Sequence, residues 1–235
     1  MSSIKNVKNT RVELSAFQTL LKNKPAWGQY DAVNFSGTTL IDMTSNGRNG
    51  TTVNITSGSA SGNGASVSIP YIKGTPTSTV VFPTGSIPTQ YTIASLTRFE
   101  TTGSKHRILQ GTGNWLHGHY GLGGNGANGT AFYEGWRTAQ TYTGQSAGWV
   151  NFVATNGITG YTIPNNIIYN GTAVSNALGG TGNKQLAINC LGICPEETSD
   201  FQFSQLIIWD QVLTPAELIV VSTALTTYLS TGILQ

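Results

Sequence analysis

The chain has 235 residues, within reach of a single all-β domain, and only 9% of them are charged, against roughly 25% in an average domain. Lysine and arginine total 12 against 10 acidic residues, so the sequence carries no basic field or cationic stripe that would serve nucleic acid. No apolar run is long enough to cross a bilayer, which excludes insertion as a membrane-spanning helix.

Glycine (29 residues), asparagine, serine and threonine take the place of charge. β-Branched and aromatic residues recur throughout, so the composition suits many short strands and tight turns rather than disorder. The first residues, MSSIKNVKNTR, lead into no continuous apolar region, and no cleavable secretory signal is expected. Localisation stays open between the cytosol, a larger surface protein and a particle such as a virion. Cys190 and Cys194 stand in CLGIC. They can close a tight disulfide or remain free thiols, and a zinc site would need more ligands than lie nearby.

In chain order, RVELSAFQTLLKN (11–23) is the first credible helix. Phe17, Leu20 and Leu21 share one face, and Pro25 ends it. Residues 1–24 are read as a tail and short helix, and 25–235 as one β domain. A single short amphipathic helix is seldom enough to assemble chains, so this one is expected to lie on the sandwich rather than link to a partner. From Trp27 the pattern is β, with candidate strands at 31–35, 38–43, 51–56, 77–82, 91–99 and 106–111. More follow at 114–121, 130–138, 148–155, 167–174, 184–190 and 201–213. Turn clusters such as SNGRNG, SGSASGNG and LGGTGN separate them. No strand–helix alternation suggests a parallel sheet, and many short strands at close spacing mean a sandwich. The last element is a helix in LTPAELIVVSTALTTYL, with Thr214 as N-cap, Pro215 at the first helical position and Glu217 completing a capping box. Leu218, Val221, Leu225 and Leu229 line one face of it.

Three stretches carry a family resemblance. LIDMTSNGRNGTT resembles the first strand and turn of laminin-G-like, concanavalin A-like jelly rolls. GWVNFVATNG followed by IIYNG resembles their central strand pair, and FQFSQLIIWDQVLTPAEL their closing strand and helix. The matches come in the family's order over about residues 27–229. NWLHGHYGLGGNGANGTAFYEGW also resembles a segment of such domains in large DNA virus and microbial surface proteins. The resemblance implies an all-β, two-sheet antiparallel jelly-roll sandwich with a short N-terminal and a short C-terminal helix. It also implies one convex and one concave sheet, with glycans or proteins bound on the concave face or rim loops, often near calcium. Some relatives are glycoside hydrolases or polysaccharide lyases, and fold alone does not choose.

The residues narrow that choice. Hydrolysis needs two carboxylates about 5–5.5 Å apart in retaining enzymes and wider in inverting ones. The Glu-x-Asp-x-(x)-Glu strand of the glucanase relatives is missing, and Glu134 stands alone in YEGW. Lyase chemistry needs a base and a neutraliser for the substrate carboxylate. His117, His119, Tyr133 and Arg137 are suitable types in one neighbourhood, but the signature strands of alginate-lyase-like jelly rolls are missing. His117 and His119 alternate along a strand and share a face, where Glu134 could join them on zinc; hydrogen bonding to neighbouring groups is the simpler role. Calcium candidates are Asp42, Asp200 and Asp210, with Asp42 better suited to capping its own SNG turn.

Glycan binding fits this composition best, because sugars are held by aromatic faces and planar polar groups. The expected ligand-binding residues are Trp115, His117, His119, Tyr133, Glu134, Trp136 and Arg137. Trp115, His117 and His119 share one face and Leu116, Gly118 and Tyr120 the other; on the next strand Phe132, Glu134 and Trp136 oppose Tyr133 and Arg137. Which face is core does not follow from the pattern. Trp149 and Trp209 are expected in the core. The sequence thus reads as a non-catalytic recognition or structural module binding carbohydrate, with a virion or cell-surface assembly as its expected setting. The alternatives are a polysaccharide-cleaving enzyme, lyase before hydrolase, and a structural coat protein that meets other structural chains.

Overall fold

The computed structural model describes residues 13–122, 125–140, 147–157, 165–189 and 197–235. Cys190 and Cys194 lie outside the described residues. The elements begin with α1 (Ala16–Asn23), β1 (Gly28–Ser36), β2 (Thr39–Asp42), β3 (Gly50–Val53), β4 (Thr56–Gly62) and β5 (Ala65–Gly74). Next come β6 (Thr79–Val81), β7 (Thr92–Phe99), β8 (Leu109–Gly111), β9 (Trp115–Leu122) and β10 (Asn125–Tyr133). The chain closes with β11 (Val150–Thr155), β12 (Ile167–Tyr169), β13 (Thr172–Ser175), β14 (Leu186–Ile188), β15 (Phe201–Trp209) and α2 (Pro215–Thr231).

Hydrogen bonding runs without a break in the order β10-β9-β8-β14-β6-β3-β2-β1-β15-β7-β11-β12-β13, with β5 added to β15 and β4 to β5. Every pairing is antiparallel. The ribbon doubles over at β1 and β2 into two layers, a front layer from β10 to β2 and a back layer from β1 to β13. This is the all-β antiparallel sandwich with two helices that the sequence led us to expect.

The core between the layers takes Leu40, Val80, Leu109, Trp115, Leu186 and Ile188 from the front and Ile93, Phe99, Phe152, Phe203, Leu206 and Ile208 from the back. A second core lies behind the back layer, where Ala94, Leu96, Val153, Ile207 and Trp209 meet Phe17 and Leu20 of α1 and Leu218, Val221 and Leu225 of α2. Strands β7, β11 and β15 are therefore buried on both faces along their whole length, polar residues such as Ser95, Asn151 and Gln205 included. Trp149 and Trp209 are core residues, as expected.

Both helices are capped as the sequence requires. Thr214 and Glu217 form a reciprocal capping box with Pro215 behind it, and Gly232 in the left-handed region at φ 75° ends α2. Ser15 and Gln18 cap α1, which begins later than position 11 among the described residues. It is tied down by a Lys24–Glu217 ion pair at 2.8 Å and by Trp209, whose indole N–H donates to the Lys24 carbonyl at 3.0 Å.

Four strand assignments change, the first being β5 (Ala65–Gly74), which has no counterpart among the expected strands. SGSASGNG, read as a turn cluster, is β4 and the start of its hairpin with β5, turning at Asn63 and Gly64 with φ 53° and 97°. β4 is mostly exposed along its length, so it needs no apolar alternation and leaves no such signal. IIYNGTAV is two strands, β12 and β13, turning at Asn170 and Gly171 with φ 46° and 82°. The strand expected at 130–138 lies at 125–133, because the chain leaves the sheet at Glu134, whose φ is 56°.

Candidate functional site

The hairpin of β9 and β10 forms one end of the front layer. Its register pairs Trp115 with Tyr133 and His117 with Ala131, and continues from His117 to Leu109 on β8. Side chains of this row point into the inter-layer core. His117 lies parallel to Trp115 at 5.6 Å, and Tyr133 stacks on the same indole at 4.8 Å. His117 Nδ1 meets the Tyr133 hydroxyl at 2.7 Å, and Trp115 Nε1 donates to the Tyr91 hydroxyl at 3.0 Å. His119 Nδ1 meets Thr97 Oγ1 at 3.3 Å, with its ring edge-on to Phe99.

Burial pushes both imidazoles down to about 3 and holds the Tyr133 phenol well above its ordinary value. Trp115, His117 and His119 are fully buried and Tyr133 all but 1% so. These four expected ligand-binding residues are scaffold, a correction to the sequence reading. A polymer cannot reach them, and a neutral buried histidine with no path to substrate is not a lyase base. The zinc arrangement fails for the same reason, since Glu134 sits at the rim and not beside the imidazoles. Aromatic stacking satisfied this row as well as aliphatic packing would, which is why alternation alone could not identify the core face.

Residues 134–137 form a turn at the surface. The Tyr133 amide donates to the Gly135 carbonyl, and an isolated bridge joins Phe132 to Trp136. Glu134 turns away from the sheet to Lys184 at 2.7 Å and to the Thr181 amide at 3.1 Å. The bond from Lys184, followed by those from Thr181, holds its carboxyl down to about 2. Arg137 donates to the Tyr133 carbonyl at 2.8 Å, and its own carbonyl accepts from Ser175 Oγ. Glu134, Trp136 and Arg137 are therefore together on one turn, with Glu134 and Arg137 fastening it to neighbouring loops.

Trp136 is 38% exposed. Its ring meets Tyr120 edge-on at 5.1 Å and Phe132 at 5.2 Å. Both come from the strand faces opposite the Trp115–His117 row, so the three aromatics form a platform on the outer face of the front layer. The Arg107 guanidinium lies 5.9 Å from the Tyr120 ring, donates to Asn114 Oδ1 at 2.7 Å and pairs with Glu197. Sequence reasoning did not single out Phe132, Arg107 and Asn114. The period-two signal contained Phe132 and Tyr120 once the inner row is known; Arg107 and Asn114 arrive from loops, where no period applies.

The three calcium candidates do not converge. Asp42 accepts from the amides of Gln29, Thr44 and Arg48 and from the Thr44 hydroxyl, which makes it the cap of the turn that follows it. Asp200 accepts from the Ser104 amide at 2.7 Å, and Asp210 is exposed beside Trp27 and Arg48. Among the described residues, no three His, Cys, Asp or Glu side chains are grouped to hold a metal ion.

No family model and no curated protein matches the chain. Its fold is similar to that of solved structures at low identity. Trypanosoma rangeli sialidase in complex with sialic acid matches with a TM-score of 0.56 and 10% identity over 87% of this chain. Domain 4 of a GH43 extracellular arabinanase from Geobacillus stearothermophilus, in complex with arabinotriose, matches with a TM-score of 0.52 and 17% identity, covering 82% of this chain and 95% of that domain. The binding domain of Paraclostridial Mosquitocidal Protein 1 matches with a TM-score of 0.54 and 14% identity over 86% of this chain and 52% of that one. The chain spans 33% of the length of the sialidase. At such identities the likeness is one of fold, a β-sandwich.

Proposed function

We propose that this chain is a non-catalytic carbohydrate-recognition module of laminin-G-like, concanavalin A-like type, in which residues 25–235 form the binding domain and residues 1–24 a tail and seated helix. The observation that carries the reading is the platform of Trp136, Tyr120 and Phe132, flanked by the Arg107–Asn114 pair. An exposed indole held edge-on by two buttressing rings offers a rigid apolar face to sugar C–H groups, with hydrogen-bonding groups at its margin. Two of the similar structures are complexes with sialic acid and arabinotriose, which supports a glycan as partner. A setting in a virion or cell-surface assembly, beside other structural chains, belongs to the same proposal. The burial of His117, His119 and Tyr133 speaks against the lyase alternative.

The test is retention on a panel of immobilised neutral and acidic polysaccharides, with reducing ends and unsaturated products followed in parallel. Retention without cleavage is the expected result. Trp136→Ala should weaken it by about 2 kcal/mol, roughly thirty-fold, as for other central aromatic anchors. Cleavage, or retention indifferent to Trp136, would overturn the proposal. If no member of the panel is retained, the structural coat-protein reading takes its place.

A further inference from the structure

Beside the platform turn, the loop 178–183 packs on residues 88–90, and a cleft of about 650 Å³ opens along the two, bounded by Glu134, Thr181, Gln90 and Asn183. A second cleft of about 520 Å³, bounded by Trp27, Arg48 and Asp210, shares Thr89, Gln90 and Asn183 with the first. The two are one trough, running along the rim from the platform turn to Trp27.

Its wall is preorganised. A Cβ added at Gly182 would come within 1.6 Å of the Pro88 carbonyl oxygen, one at Gly180 within 2.4 Å of Tyr133 Cβ, and one at Gly179 within 2.4 Å of the Arg137 guanidinium. The glycines of LGGTGN thus let backbone lie directly on its neighbours, a role beyond that of a turn signal. Asn156 secures the floor by donating to the carbonyls of Thr89 and Gly180 at 2.9 and 3.1 Å and accepting from the Tyr91 amide at 3.0 Å. Thr89 Oγ1 donates to Asn183 Oδ1 at 3.0 Å and ties the two segments of this wall together.

Apart from Asp210, the charged groups along this path have internal partners. Lys184 is paired with Glu134, and the Arg48 guanidinium lies 4.2 Å over the Trp27 ring while donating to the Trp27 carbonyl. At the platform, Arg107 is paired with Glu197. What the trough offers a ligand is amide, hydroxyl and peptide groups, with an aromatic residue at its far end. An anionic ligand would have to compete with these internal pairs, whereas a polyhydroxylated neutral one would not.

We infer that the trough is an additional binding site for an uncharged oligosaccharide, continuing the chain of sugars whose first units rest on the Trp136 platform. This inference rests on the glycan-binding reading of that platform.

The experiment is calorimetric titration with neutral arabino-, xylo-, gluco- and manno-oligosaccharides of two and six units, and with oligogalacturonate of the same lengths, at low and high sodium chloride. The variants are Trp136→Ala and the double substitution Gln90→Ala with Asn183→Gly, in which glycine retains the left-handed backbone found at Asn183 (φ 56°). The hexamer of one neutral series should bind about ten-fold tighter than its dimer, with little dependence on salt. The double variant should lose that gain while still binding the dimer. Equal affinity for dimer and hexamer, a gain that survives the double variant, or salt-sensitive preference for oligogalacturonate would each overturn the trough site. A dimer that binds as well to Trp136→Ala as to the unaltered protein would overturn the platform reading instead, and the absence of binding to every series would overturn both.

Discussion

His117 and His119 are neutral in the folded protein because burial penalises the imidazolium far more than the few polar contacts around it can offset. Both values lie near 3, below the ordinary 6.5 of an exposed histidine, so the unfolded chain takes up protons first as the solution is acidified. The stabilisation from this pair is complete above about pH 6.5 and is lost as the pH falls from there toward 3. At pH 5 each imidazole should have cost about 2 kcal/mol, since one unit is about 1.36 kcal/mol. Urea unfolding at pH 7 and pH 5, followed by circular dichroism, should show the combined loss. A His119→Gln variant should remove about half of the pH dependence while starting from a lower stability. An unfolding midpoint indifferent to pH over this range would mean that both rings reach solvent. The residue identities thus foretold a chemically unusual row, yet not where it faces. A stack of Trp115, His117 and Tyr133 has the same sequence signature whether it meets a sugar or the opposite sheet.

At the scale of elements, legibility followed how local the determinants are. The start of α2 could be read to the residue, because a capping box and a proline at the first position act within a single turn. Replacing Thr214 by alanine should therefore destabilise the fold by about 1 kcal/mol, measured as a shift in the urea midpoint with an unchanged slope. The strand β4 could not be read, since a largely exposed edge ribbon of Ser, Gly and Ala is held by its hydrogen bonds to β5 and not by any burial pattern. The end of β10 was misplaced because alternation continues through YEGWR, whereas the left-handed backbone at Glu134 is stabilised by Lys184 and Thr181, about fifty residues away. Glu134→Ala should consequently loosen both the turn and the 178–183 wall. Its signature should be faster amide exchange at Thr181 and weaker glycan retention. Unchanged exchange there would show that the turn holds itself.

The whole molecule has three layers, two sheets and the helices that the sequence placed beside them, and the third explains the burial of the back sheet on both faces. Strands β7, β11 and β15 each bury one face against the front layer and the other against α1 and α2. Their apolar residues marked them as strands, but the sequence pattern does not say what covers the second face. Asn151 on β11 shows how closely α2 belongs to the fold. Fully enclosed, its Nδ2 donates to the Ser222 carbonyl at 2.7 Å and to Thr226 Oγ1 at 3.0 Å on that helix. Leu225 is fully buried at the centre of the same interface, and its replacement by alanine should cost about 2–5 kcal/mol. Ending the chain at Gln211 is the stronger test. It would uncover Ala94, Leu96, Val153 and Ile207 in one contiguous patch and leave the Asn151 amide without Ser222 and Thr226. The truncated chain should lose its near-ultraviolet circular dichroism, bind a hydrophobic dye and unfold without a cooperative transition. If it unfolded cooperatively at the midpoint of the full chain, the helix would be an appendage and the two-layer sandwich sufficient alone. The paired back-sheet faces point to the opposite result, because each has an apolar surface that water would otherwise cover.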